Sequence, residues 1–256
     1  MKEWKESSIK SIHEIPWAQE VPIIIHKKES GYKALVNDKT KETISVVTDT
    51  YQPVQHRDVW EQANKYKNYK ISNGRIFNRG RTLMIEISDV KPVKRELIPG
   101  DYLESKVRIF NSYDGTRALT VQSYGLRLVC SNGMVAPTLV SNYRKIHAYQ
   151  NIDISEIGKA IQLGMEFWEG NKLLFQRAAK MTVDVGKTLK PLTNVIAKKY
   201  MKIVEDNLQT KETLYDVWNE LTRTITHDMQ PNVNTDNLVY TQQQVNRILK
   251  PLEAVV

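Results

Sequence analysis

Across residues 32–48 apolar and polar positions alternate in two runs, YKALVN and ETISVVT, joined by Asp38-Lys39-Thr40. A period of two interrupted by turn residues predicts a β-hairpin. Pro53 then stops the strand, and Val59, Ala63 and Tyr66 recur at helical spacing, which predicts a helix over 54–69. Asn73-Gly74 marks a turn, and 76–77 with 82–90 read as a strand pair around a loop at Asn78-Arg79-Gly80. A further turn at Ile98-Pro99-Gly100-Asp101 leads into a strand over 102–110. Asp114-Gly115 then joins two strand-like runs, because Gly accepts the positive φ a tight hairpin demands.

After Pro137 the period changes. Ile154, Ile157, Ile161, Met165 and Trp168 recur at three- or four-residue steps, an apolar stripe on a long helix, and 191–206 and 212–227 predict two more. Gly158, Gly164 and Gly170 fall on the first of these as local packing sites, since six residues is no contact period. Residues 231–236 read as a linker and 242–249 as a last short helix. The class is α+β: an antiparallel sheet of hairpins with an inserted helix, followed by a mostly helical part. The organisation expected is an N-terminal arm over 1–30, a basic α+β domain over 31–150 and a helical region over 151–230 that packs on the sheet or on a neighbouring subunit. A linker and short helix over 231–256 complete it.

With 41% hydrophobic and 26% charged residues in 256, the chain has the balance of a folded protein rather than a disordered one. No segment has the length of a membrane span or the form of a signal peptide, and Cys130 is the single cysteine, so the expected compartment is the cytoplasm, without disulfides. Cys130 reads as a small buried hydrophobe. The net charge of +8 is unevenly placed: residues 1–150 hold 24 basic against 16 acidic side chains, and residues 151–256 hold 13 of each.

Within the basic part, residues 62–85 contain Lys65, Lys67, Lys70, Arg75, Arg79 and Arg81 and no acid, interleaved with Tyr66, Tyr69 and Phe77. Cations that neutralise phosphates beside aromatic faces that stack on bases are the pattern of a single-stranded DNA or RNA groove. A solvated basic face whose aromatics serve the core is the equally weighted alternative.

No catalytic constellation stands out. Asp89-Val90-Lys91 after Glu86 has the spacing of some metal nucleases, with Asp49 or Asp58 as recruits, but such tripeptides are common. His13, His26, His56, His147 and His227 occur singly, so a histidine-built metal site would need distant segments to converge. Val185-Gly186-Lys187-Thr188 lacks the glycine-rich run of a phosphate loop. Asn132 suits a chain reversal. No metal, cofactor or catalytic residue is therefore expected.

Asn111-Ser112-Tyr113-Asp114-Gly115-Thr116, with Leu126-Arg127-Leu128-Val129-Cys130-Ser131-Asn132-Gly133-Met134, resembles the paired signature of the phage- and plasmid-related family known as domain of unknown function 932. The matching family segments read Asn-Ser-His-Asp-Gly-Ser and Arg-Val-Val-Cys-x-Asn-x-Leu. Val46-Val47-Thr48-Asp49-Thr50-Tyr51-Gln52-Pro53-Val54-Gln55-His56 resembles its Val-Ser-x-x-Tyr-x-Pro-Val-Gln-Asn, and Ile98-Pro99-Gly100-Asp101 its Pro-Gly-Asp. Thr213-Leu214-Tyr215-Asp216-Val217-Trp218-Asn219-Glu220-Leu221-Thr222 with His227 resembles a late helical motif.

The chain departs at Tyr113, where the family usually has His, and at His56, where it usually has Asn. If a histidine at position 113 served chemistry in the family, this chain would lack it. The resemblance implies a mobile-element origin and an α+β fold. More distantly, the order hairpin, helix, hairpin with a basic face resembles oligomeric single-strand annealing proteins of the Rad fifty-two type. The function expected is non-enzymatic binding or annealing of single-stranded DNA or RNA by a homo-oligomer off the membrane, in replication or recombination of a virus or plasmid. A metal-dependent nuclease and a virus or plasmid assembly protein are the alternatives.

Overall fold

The first half of the chain forms strands around a single helix: β1 (Ser7–Ser8), β2 (Ala18–Ile25), β3 (Lys28–Asn37), β4 (Thr43–Thr48), α1 (His56–Asn64), β5 (Tyr69–Phe77), β6 (Thr82–Asp89), β7 (Lys94–Ile98), β8 (Asp101–Ser112), β9 (Leu119–Arg127), β10 (Gly133–Val135) and β11 (Tyr143–Lys145). Helices then dominate: α2 (Glu156–Gly170), α3 (Lys172–Ala178), β12 (Thr182–Asp184), α4 (Val185–Leu189), α5 (Lys198–Asn207), β13 (Lys211–Thr213), α6 (Leu214–Thr224) and α7 (Thr235–Asn246). This computed structural model describes residues 7–127, 133–135, 143–147, 152–170, 172–229, 235–249 and 252. Cys130, Asn132 and the first four residues of the expected linker lie outside them. The α+β class is as the sequence predicts. Among the described residues no helix is long and apolar enough to cross a membrane.

Two compact units emerge, each drawn from three segments: Met1–Lys91, Val107–Gln122 and Asn142–Leu163 form the first, and Pro92–Lys106, Ser123–Ser141 and Gly164–Val256 the second. In the first unit β2, β3 and β4 make a three-stranded antiparallel sheet. Its first strand carries Pro22, which a ladder tolerates because β2 is an edge. The β3–β4 turn is closed by Asn37, whose Oδ1 accepts from the amides of Lys39 at 2.9 Å and Thr40 at 3.1 Å. A second sheet has the order β1-β5-β6-β8-β9, with β11 on β9.

Asn73-Gly74 does not turn the chain; both residues lie inside β5, beside a bulge between Ile71 and Asn73. The glycine is there for packing. A Cβ at Gly74 would come within 2.6 Å of the Trp60 ring, so α1 can lay Trp60 on the strand only where the strand has no side chain. Val59 and Ala63, one turn apart, are likewise fully buried. The Asp114-Gly115 hairpin is as predicted: Gly115 has φ +72°, and Asp114 Oδ1 accepts from the Thr116 amide at 3.1 Å.

Gly158 on α2 is a packing site of the same kind. A Cβ there would sit 1.3 Å from the Tyr66 hydroxyl and 2.0 Å from Cζ, so the hydroxyl end of the ring occupies its space. Gly158→Ala is expected to lose about 2 kcal/mol in urea unfolding through overpacking. The double variant with Tyr66→Ala should be no less stable than Tyr66→Ala alone. A wild-type midpoint for Gly158→Ala would show that the contact is not made.

The second unit is built on α6. Leu214, Val217, Trp218, Leu221 and Ile225 recur at helical spacing and are all buried. Thr213 caps the helix, its hydroxyl accepting from the Asp216 amide at 3.1 Å. Trp218 is fully enclosed, 5.2 Å from Phe175 and 5.9 Å from Tyr215 between ring centroids, and its indole N–H donates to Asn246 Oδ1 at 2.9 Å. The helix expected over 191–206 begins only at Lys198, because Pro191 sits in a separate 3-10 turn, Lys190–Leu192.

Candidate functional site

Three elements of the first unit enclose an open groove of about 640 Å³. Ser8 and the residues after it run along β5, with the Ile9 amide donating to the Gly74 carbonyl at 2.8 Å. A 3-10 turn, Ile12–Glu14, closes one end, and Asn64 at the end of α1 faces Lys70, Ser72 and Asn73 of β5. None of the lining residues is acidic. Lys10, His13 and Lys70 line it among serines and asparagines, and the Lys39 ammonium donates to the His13 carbonyl. Glu14 lies just outside, its carboxylate held to the turn by the Lys10 amide and the Ser11 hydroxyl, each at 3.2 Å. Lys65 and Lys67 are exposed on the connection between Asn64 and Lys70.

The sequence-predicted cations therefore fall into two groups. Lys70 lines the groove and Lys65 and Lys67 lie exposed on the connection that leads to it, whereas Arg79 occupies the β5–β6 turn at φ +58°. The seven steps from Lys70 to Phe77 span about 23 Å at a strand rise of about 3.3 Å per residue, so Arg79 lies at the far end of the hairpin. None of these four side chains forms an ion pair with a described residue. Arg75 is half-buried, and Arg81 donates its Nε to the Ile44 carbonyl at 2.9 Å, which ties it to β4.

The aromatics are not stacking platforms as a set. Phe77 is only 5% exposed and belongs to the core, Tyr66 packs over Gly158, and Tyr69 is half-buried at the start of β5. Trp60 forms part of the groove wall with 7% of its surface accessible. The nuclease grouping is not assembled either. Glu86 accepts from Arg108 at 2.6 Å and from Asn73 at 3.2 Å, and no group of three metal-binding side chains occurs among the described residues.

A second polar constellation, not visible in the sequence, lies under the Asp114-Gly115 hairpin. Gln55 Oε1 accepts from the Ala18 amide and the Tyr113 hydroxyl, both at 3.0 Å, while its Nε2 donates to the Ala18 carbonyl at 3.0 Å. The His56 amide donates to Tyr113 Oη at 2.8 Å. Asn111 Nδ2 donates to the Val54 carbonyl at 2.7 Å and to His56 Nδ1 at 2.8 Å. That second bond fixes the tautomer, because a ring nitrogen that accepts carries no proton: the His56 proton is on Nε2. His147 has the opposite tautomer, its Nδ1–H pointing at the Gln52 carbonyl at 3.4 Å, and it stacks on Tyr51 at 5.4 Å.

Burial pushes the His56 imidazole down to about 3, against a partial pull back from the backbone of Gly80 and Arg81 and a further push from His147. His147 is shifted in the same direction by its own burial. Both rings are therefore neutral at pH 7. His56, Asn111 and Tyr113 are completely inaccessible and His147 is 2% exposed, so this network orders the hairpin and cannot reach a substrate.

The family described as Domain of unknown function (DUF932) matches residues 43–248. The chain belongs to the DUF932 family. No curated protein and no solved structure matches it. The two departures from the usual DUF932 pattern, His56 and Tyr113, touch each other: their rings stack with centroids 3.8 Å apart. The imidazole of this pair is carried by the first residue of α1. Spacing along the chain does not reveal the contact, since the two positions are 57 residues apart.

Proposed function

We propose that the groove beside β5 binds the sugar–phosphate backbone of single-stranded DNA or RNA, with no chemical step. One observation carries this reading: Lys10, His13 and Lys70 line a polar groove without a carboxylate, and the exposed Lys65 and Lys67 sit on the connection between Asn64 and Lys70, both of which line it. Serine and asparagine side chains suit phosphate and sugar oxygens, while Trp60, the aromatic among the lining residues, is 7% exposed, which argues for backbone contacts over base reading. Assembly into a homo-oligomer, and service in replication or recombination of a mobile element, extend this reading through the family resemblance.

The test is a fluorescence-anisotropy titration with a labelled single-stranded oligonucleotide across a range of salt. Four lysines, Lys10, Lys65, Lys67 and Lys70, neutralising about four phosphates give a slope of log affinity against log salt of about −3. The affinity should not require a divalent ion. Absence of binding at the lowest salt would end the proposal.

A further inference from the structure

The second unit contains a different kind of cavity. About 400 Å³ opens beside α4, and its walls are Met181, Val183, Val195, Leu214 and Ile248. That volume and that apolar lining are those of a small-molecule pocket rather than of a packing defect. Two cations stand among the lining residues: Lys187 from α4 and Arg247 from the 3-10 turn after α7, both exposed. Neither has an ion-pair partner among the described residues. We propose that this pocket binds a small amphipathic carboxylate, its apolar body against Val195, Leu214 and Ile248 and its carboxylate between Lys187 and Arg247.

The arrangement separates this ligand class from a nucleotide. Gly186-Lys187-Thr188 looks like the end of a phosphate loop, but the first turn of α4 is already capped: Asp184 Oδ1 accepts from the Lys187 amide at 2.8 Å. The Thr188 hydroxyl donates to the Asp184 carbonyl at 2.8 Å. The Lys187 amide, one of the backbone donors that would cradle a phosphate, is thereby taken. What is left for an anion is the pair of long side chains, which suits one negative charge on an apolar tail. The thioether of Met181, 40% exposed, supplies a wall that adapts to tails of different shape.

Octanoate, 1-octanol and octylamine share a tail and differ in charge, so they serve as probes of the full chain. Binding is followed by calorimetry and by the methyl NMR shifts of Val195, Leu214 and Ile248. Octanoate should bind about tenfold or more tighter than octanol, octylamine weakest, with the shifts confined to those methyls. Lys187→Gln with Arg247→Gln should bring octanoate down to the octanol affinity, and Val195→Phe, which fills the cavity, should weaken both while circular dichroism stays unchanged. Equal affinities for octanoate and octanol, octanoate shifts at other methyls, or no octanoate binding would each overturn the proposal. Nucleic-acid binding by the first unit is measured separately and is not expected to change in these variants.

Discussion

Replacing His56 by Gln is expected to flatten the acid side of the protein's stability curve. In the folded chain the His56 imidazole titrates at about 3, whereas the unfolded chain returns it to the ordinary 6.5. Between those values the unfolded state binds the proton and the native state does not, so stability falls as pH falls from 6.5 to about 3. At 1.36 kcal/mol per unit the loss totals on the order of 4 kcal/mol by the end of that window. His147, depressed by burial, adds to the loss in the same direction. Urea unfolding of the wild type and of His56→Gln at a series of pH values checks this. The variant should lose the larger part of the acid slope; identical slopes would mean that His56 titrates normally in the fold.

Trp218→Ala should cost about 4 kcal/mol, the range for emptying a large aromatic site in a core. The indole is fully enclosed between Phe175 and Tyr215, and its removal also takes a donor from Asn246. Trp218→Phe retains a ring in the cluster and loses the N–H, so a cost of about 1–2 kcal/mol follows. Urea unfolding followed by circular dichroism separates the two. A cost below about 1 kcal/mol for Trp218→Ala would mean that the site collapses without strain.

Elements were legible where a period or a turn residue acts locally. The β3–β4 hairpin, the Asp114-Gly115 turn and the α6 stripe each follow from residues adjacent to one another or one helical turn apart. Gly74 is a strand residue and not the expected turn residue, and a glycine in a strand and one in a turn look alike in sequence until the neighbour is known; here the neighbour is Trp60. The strand β2 falls within the stretch expected as an N-terminal arm, and its edge position is what makes Pro22 acceptable in a ladder.

The candidate site was half legible for a related reason. An acid-free run announces its cations, but it does not say which of them share a face. Lys70 lines the groove, with Lys65 and Lys67 on the connection before it, while Phe77 points into the core and Arg81 is held by Ile44. Lys10 and His13 reach the groove from the other end of the fold's first segment, carried by pairing of Ser7 and Ser8 with β5. The network of Gln55, His56, Asn111, Tyr113 and His147 joins three segments distant in sequence, and no periodicity marks it.

The most direct test of the groove as a polyanion site compares single-stranded DNA binding at low salt by the wild type, by Lys65→Glu with Lys67→Glu and Lys70→Glu, and by Arg79→Glu. All four are exposed side chains, so the variants should fold as the wild type does, with circular dichroism as the check. The triple reversal is predicted to weaken binding by more than about a hundredfold, whereas Arg79→Glu, at the far end of the hairpin, changes it by only a fewfold. Wild-type affinity in the folded triple variant would contradict the account.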